Sequence, residues 1–392
     1  LKVYGVHGLK VNMSYIMFFD GLSFKKGTKT ISPIFAMEGL MKDVQERYLE
    51  IYLEHNDLPR KRDEKKGGWV SYYTYFTNIT EEKILNNSDR LCETGLKDLG
   101  INTVVIDDGW AIWGDWEPIA SRFPNGMKSI SENISKRGLE PGIWIAPFSI
   151  AKESAYATNL SIVVHDTGTP VEIDGRYILN ISRQEAQQYL RNQMIKLNDW
   201  GYKYIKLDFL YFICWEFHNI NKYFEGYNRA QAYRLAMQII TDSVTDDTYL
   251  LASGAPIGPS IGYFDAMRIG PDVLKEPYKM QSSYYVGSLY AGIFSIASRD
   301  YYNSVWVCDP DVVYLDGISI NQTLHMWALM VASSRDNFFI GGDLFAISQD
   351  DLLLCVDVLR NREANYKPSE YQNACSIWTN DKGDVIIHII PP

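Results

Sequence analysis

Lys206 and Asp208 stand two residues apart in the apolar run Tyr204 to Leu210. On a strand that spacing sends both side chains off the same face, and a charged pair is costly to bury among apolar helices, so both are expected to point into an open site. A neighbouring ammonium keeps a carboxylate ionised, and an ionised carboxylate on a rigid strand can attack an anomeric carbon. The competing reading is a buried ion pair with no catalytic role. A glycosidase of the retaining kind also needs a second carboxyl group roughly 5 Å away that can carry a proton. Asp272, after the turn Gly270-Pro271, is the candidate, with Asp208 as nucleophile and Asp272 as general acid/base. Asp309 and Asp311 in Cys308-Asp309-Pro310-Asp311 rival it as the acid, whereas Asp265 precedes its strand and belongs at the opposite end of the fold.

Other reactive groups also fall where apolar runs end. Adjacent Asp107 and Asp108, in Asp107-Asp108-Gly109-Trp110, repel each other unless they are solvated, paired or engaged with hydroxyls, which suits acceptors for neighbouring sugar hydroxyls; a helix or loop cap is the alternative. Trp144 offers a flat platform and Arg268 a donor fork, and Ser253-Gly254-Ala255-Pro256 closes another run.

The elements that must position these groups follow from the pattern. Between Trp69 and Asn361, short runs rich in Val, Ile, Tyr and Phe alternate with amphipathic stretches, as in βα units of a parallel sheet. Eight strands are expected, at Trp69 to Phe76, Thr103 to Asp107, Gly142 to Pro147, Tyr204 to Leu210, Tyr249 to Ser253, Ala266 to Ile269, Val305 to Cys308 and Asn337 to Ile340. Helices are expected at Glu81 to Leu99, Gln184 to Trp200, Arg229 to Val244, Tyr284 to Ser298, Leu324 to Ser333 and Asp350 to Leu359. Closure into an α/β (β/α)8 TIM barrel puts the strand ends, and the groups above, on one rim. An open doubly wound sheet is the alternative, but no glycine-rich phosphate loop follows the first strand. Residues 1–66 read as a short N-terminal region and linker with a helix at Met41 to Glu54, residues 67–362 as the barrel, and residues 363–392 as a small C-terminal β piece, with a hairpin at Cys375 to Ile390 turning near Asn380 to Gly383.

Composition limits the rest. A net charge of −10 gives no attraction for phosphate backbones, so nucleic acid is not an expected partner. No apolar run approaches the roughly 18 residues that cross a bilayer, so no membrane association is expected. An aromatic content of 14%, with 27 Tyr and 10 Trp, provides faces that stack on sugars as well as core. Five cysteines without a CxxC pair support neither a disulfide framework nor structural zinc. With only six His and no His-x-His in the first strand, a metal-dependent barrel hydrolase is disfavoured; neither a metal nor a cofactor is expected. No signal peptide is read at the N-terminus, so a cytoplasmic location is expected, although the chain does not begin with Met.

The motifs Val105-Ile106-Asp107-Asp108-Gly109-Trp110, Pro141-Gly142-Ile143-Trp144, Lys206-Leu207-Asp208-Phe209, Ser253-Gly254-Ala255-Pro256 and Arg268-Ile269-Gly270-Pro271-Asp272, in that order, resemble the α-galactosidases of glycoside hydrolase family 36, whose clan includes family 27 and the raffinose synthases. The resemblance runs from about Gly68 to Asp311. It implies that Asp208 is the nucleophile, that Asp272 is the acid/base, and that Asp107 and Asp108 bind the axial and primary hydroxyls of galactose, with Trp144, Lys206, Ser253 and Arg268 as further sugar contacts. The implied partner is an α-galactoside oligosaccharide or glycoconjugate. Three departures weaken the sugar assignment: Tyr72 stands where the family often has Trp, Ser253 replaces a frequent Cys, and the large N-terminal β-sandwich is largely missing. The chain is then either a fragment or a subunit of a homo-oligomer that borrows the missing wall. Hydrolysis of α-N-acetylgalactosaminides, galactosyl transfer to an acceptor sugar, and a non-catalytic carbohydrate-binding relic are the competing functions.

Overall fold

The computed structural model describes residues 41–56, 64–157, 162–215, 224–273, 292, 295–296, 299–315, 322–334, 336–360, 367–372, 375–379 and 385–389. Its main sheet has nine parallel strands: β1 (Gly67–Val70), β2 (Thr103–Ile106), β3 (Glu140–Ile145), β4 (Tyr204–Leu207), β5 (Tyr249–Ala252), β6 (Ala266–Arg268), β7 (Val307–Asp309), β8 (Val312–Tyr314) and β9 (Phe338–Gly341). They lie in the order β7-β6-β5-β4-β3-β2-β1-β9-β8. β7 pairs with β6 and β8 pairs with β9, and the two are halves of one continuous stretch broken at Pro310, which has no N–H to give to a ladder. That stretch joins the two ends of the sheet, and the Asn337 N–H donates to the Cys308 carbonyl across the seam at 2.9 Å. Eight strands, the seventh interrupted, therefore close the barrel.

The strands are buried on both faces, and their alternation sorts side chains into two cores. In β4, Tyr204 points into the barrel with Val105, Tyr249, Leu251, Val307 and Phe339, while Ile205 and Leu207 face the helix layer. Tyr204 and Tyr249 stack with ring centroids 5.4 Å apart. This inner layer plugs the barrel and leaves Lys206, one step further along the strand, at the mouth.

Helices α1 (Met41–Asn56), α2 (Glu81–Glu93), α3 (Gly126–Lys136), α4 (Gln184–Asp199), α5 (Arg229–Thr241), α6 (Gln322–Ser333) and α7 (Gln349–Arg360) account for the long amphipathic stretches. The start of α5 is set by a capping box between Asn228 and Gln231. The expected helix at Tyr284 to Ser298 lies mostly outside the described residues.

Several strands stop earlier than the apolar runs suggest. β1 ends at Val70, and Tyr72–Tyr75 forms one helical turn over the mouth; β4 ends at Leu207, and Leu210–Cys214 is a 3-10 turn. The stretch Glu81 to Leu99 breaks after α2, where Gly95 takes φ 74° before the 3-10 turn Leu96–Leu99. Among the elements without a counterpart in the pattern are α3 and an antiparallel three-stranded sheet of Ser149–Ala151, Glu172–Ile173 and Arg176–Ile178 inserted after β3. At the C-terminal end, Cys375–Thr379 and Val385–Ile389 form the expected antiparallel pair, joined by a third strand, Lys367–Gln372; the turn at 380–384 lies outside the described residues.

Candidate active site

The C-terminal ends of β1 to β4 and the loop after β6 enclose a cavity of about 120 Å³ lined by Tyr72, Tyr73, Asp107, Asp108, Trp113, Trp144, Arg176, Lys206, Asp208, Phe209 and Asp272. Six residues singled out from the sequence thus meet in one space. Ser253 directly follows β5, is buried, donates its N–H to the Leu207 carbonyl at 2.7 Å and lies outside the lining; Arg268 lies behind the wall and reaches the cavity through Asp272.

Asp208 is held from two sides. Trp144 Nε1 donates to its Oδ2 at 3.0 Å and the Phe209 N–H to its Oδ1 at 2.7 Å. The second bond depends on Phe209 adopting φ 53°, a left-handed conformation uncommon for a bulky residue. At the next residue the chain coils into the 3-10 turn, so backbone bending at this strand end aims a donor at the carboxylate. Strain of this kind clusters at functional sites.

Lys206 is buried and pairs with Asp107, Nζ to Oδ2 at 2.8 Å. Burial disfavours the ammonium, but the charges of Asp107 and Asp208 outweigh it and raise the Lys206 pKa, so this lysine is a fixed cation between two carboxylates. The other Asp107 oxygen accepts the Asp108 N–H at 2.9 Å. Asp108 Oδ1 accepts from the Gly109 N–H and from Trp113 Nε1, each at 2.7 Å. Burial, with the charge of Asp107, raises the Asp108 pKa despite the Trp113 bond. Gly109 is required here: it has φ 107°, and a Cβ would lie 2.6 Å from the Thr77 backbone.

Across the cavity, Asp272 is half-exposed and bonded to Arg268 Nη2 at 3.0 Å. Burial pushes its carboxyl up, but the charges of Arg268 and Lys206 and the hydrogen bonds from Arg268 and Tyr73 hold it below the usual carboxylate range. Asp311 lies just behind, buried, its Oδ2 accepting from Tyr73 Oη at 2.6 Å, Arg268 Nη2 at 2.5 Å and the Val273 N–H at 2.7 Å. Burial is the main cause of its pKa of about 6, with Arg268 opposing. Asp309 is also buried, accepting from the Asp311 N–H at 2.9 Å and Asn337 Nδ2 at 3.3 Å. Neither rival acid lines the cavity. Asp265 bonds the Leu250 N–H near the start of β5, at the far end of the barrel.

Three lining residues went unremarked in the sequence. Tyr73 follows β1, Trp113 lies three residues beyond Trp110, and Arg176 comes from the inserted sheet and stacks its guanidinium 3.7 Å from the Trp113 ring centroid. A neighbouring cleft of about 390 Å³ shares Asp108, Trp113 and Arg176 with the site.

Residues 35–251, more than half of the chain, match the family model for melibiase. The chain belongs to the melibiase family. An α-galactosidase of Lactobacillus acidophilus, Mel36A, is 31% identical over 136 residues, covering 32% of this chain and 18% of that protein. Another from Geobacillus stearothermophilus, AgaA, is 27% identical over 183 residues, covering 43% of this chain and 24% of that protein. The matched stretches therefore span less than a quarter of these relatives' own length. Among solved structures, the α-galactosidase TtGalA of Thermus thermophilus, in complex with p-nitrophenyl α-D-galactopyranoside, matches with a TM-score of 0.71 at 25% identity, over 87% of this chain and 69% of that one. The family 36 enzyme AgaA shares the fold, with a TM-score of 0.62 at 17% identity over 87% of this chain and 49% of that one. The resemblance to family 36 α-galactosidases read from the strand-end motifs agrees with this melibiase membership.

Proposed function

We propose that this chain hydrolyses terminal α-D-galactosides with retention of configuration. Asp272 protonates the glycosidic oxygen while Asp208 attacks the anomeric carbon and the bond to the leaving group breaks. Water, deprotonated by Asp272, then opens the resulting β-linked galactosyl enzyme and frees Asp208. The observation that carries the reading is the placement of both carboxylates on one cavity beside the Asp107–Lys206 pair, with Asp208 fixed by Trp144 and the Phe209 N–H. Asp107 and Asp108 offer acceptors to sugar hydroxyls at the floor, and Trp113 and Trp144 offer apolar faces. TtGalA has been solved in complex with stachyose, and a doubly substituted variant of AgaA with raffinose, so galactosyl oligosaccharides are the substrates to try.

The test is hydrolysis of a panel of p-nitrophenyl glycosides (α- and β-galactoside, α-N-acetylgalactosaminide, α-glucoside) by the wild type and by Asp208→Ala. Release of p-nitrophenol from the α-galactoside that disappears in the variant is the expected result. Equal activity in both proteins removes Asp208 from the chemistry, and a preference for another glycoside replaces the sugar.

A further inference from the structure

A retaining mechanism needs a proton on the acid at rest, yet Arg268 and Lys206 hold Asp272 toward its ionised form. The geometry behind Asp272 addresses this conflict. Arg268 Nη2 carries two hydrogens but faces three acceptors: the Pro271 carbonyl at 2.8 Å, Asp272 Oδ1 at 3.0 Å and Asp311 Oδ2 at 2.5 Å. The Tyr73 hydroxyl, with a single hydrogen, bonds Asp311 at 2.6 Å and also faces Asp272. Asp311 thus outcompetes Asp272 for donors on two elements, and it additionally anchors the backbone next to Asp272 through the Val273 N–H.

We propose that Asp311 is a positioning residue that draws the shared cation and hydroxyl away from Asp272, leaving the exposed carboxyl of the pair free to take up the proton it delivers. The proposal rests on the α-galactosidase reading above. Its geometry is one guanidinium nitrogen between two carboxylates, one of them buried and one facing the cavity. The titratable groups facing Asp311 are Tyr73 from the turn after β1, Arg268 from β6, Asp272 from the loop after it, and Lys206 from β4. Asp309 faces its backbone N–H. Because the two carboxyls share a donor, they titrate as a pair, and the basic limb of the rate profile belongs to the pair.

The experiment measures kcat/KM against pH for the wild type, Asp311→Asn, Asp311→Glu and Tyr73→Phe, on p-nitrophenyl α-D-galactopyranoside and on raffinose. The first has a good leaving group and the second leaves through a sugar hydroxyl that needs its proton. Without the charge of Asp311, Arg268 turns wholly to Asp272, so Asp311→Asn moves the basic limb down by about one pH unit and lowers the raffinose rate about tenfold more than the aryl rate. Asp311→Glu restores the limb toward the wild type. Tyr73→Phe removes a donor from both carboxyls and moves the limb the other way. Equal losses on both substrates with an unmoved limb overturn the proposal. If Asp311→Asn does not fold, an unmoved limb in Tyr73→Phe overturns it alone. A wild type that splits neither substrate fails the α-galactosidase reading instead, which separates the two outcomes.

Discussion

The two sides of the cavity hold their carboxylates differently. On the β2–β4 side, donors are matched to acceptors: Lys206 to Asp107, Trp113 to Asp108, and Trp144 with the Phe209 N–H to Asp208. On the β6–β8 side, one guanidinium nitrogen and one hydroxyl serve two carboxyls, one buried and one half-exposed. The first arrangement pins charge in place, which suits a nucleophile. The second leaves a carboxyl under-satisfied, which suits a group that must gain and lose a proton within each turnover.

Breaking the matched side at its centre gives the largest effect. Asp208→Ala is expected to lower kcat about 10⁴-fold or more on any galactoside, measured by initial rates. On the shared side, Asp272→Ala is expected to cost about 10²–10⁴-fold on raffinose but much less on the p-nitrophenyl glycoside, whose leaving group needs little protonation. Equal losses on the two substrates would remove Asp272 from proton transfer. Lys206→Met leaves Asp107 buried without its cation and is expected to destabilise the fold by about 3–5 kcal/mol in denaturant titration. Trp144→Phe keeps an aromatic face, though a smaller one, and removes a hydrogen bond to a charged oxygen, for an expected loss of about 1.5–3 kcal/mol in transition-state stabilisation, read from kcat/KM.

Burial lifts Asp311, in its coupled pair with Asp272, to about 6, above the value of the unfolded chain. Between those two values the folded protein binds more protons than the unfolded one, so stability falls as pH rises through that range. Asp311→Asn removes this slope, and its stability relative to the wild type should improve by on the order of 2 kcal/mol between about pH 4 and pH 6. A pH-independent difference in thermal unfolding would contradict the assignment.

Much of this site was legible because period-two alternation is a local property. Lys206 and Asp208 had to share a face, and the Asp107-Asp108-Gly109 and Gly270-Pro271-Asp272 breaks marked strand ends. What was not legible depends on distant contacts. The early stop of β4 follows from Phe209 turning its N–H onto Asp208, and the break between β7 and β8 comes from Pro310 at the closing seam. Strand-forming residues fill the first run, so propensity could not reveal its stop; in the second, Pro310 marks the break, but not that Val312–Tyr314 resumes pairing on the far side of the seam. Arg176 reaches the cavity from a sheet built of two- and three-residue strands, too short to show periodicity. The contest between Asp272 and Asp311 for Arg268 spans 43 positions and appears only once the barrel is closed.

The most direct test of the two carboxylate roles is azide rescue. Asp208→Gly and Asp272→Gly are each incubated with p-nitrophenyl α-D-galactopyranoside and sodium azide, and the galactosyl azide formed is identified by proton NMR. Azide replacing the nucleophile attacks the substrate directly and gives the β-azide, whereas azide replacing the acid/base-assisted water attacks the β-linked enzyme intermediate and gives the α-azide. The β-azide is expected from Asp208→Gly and the α-azide from Asp272→Gly; the reverse, or the same anomer from both, contradicts the assignment of the two carboxylates.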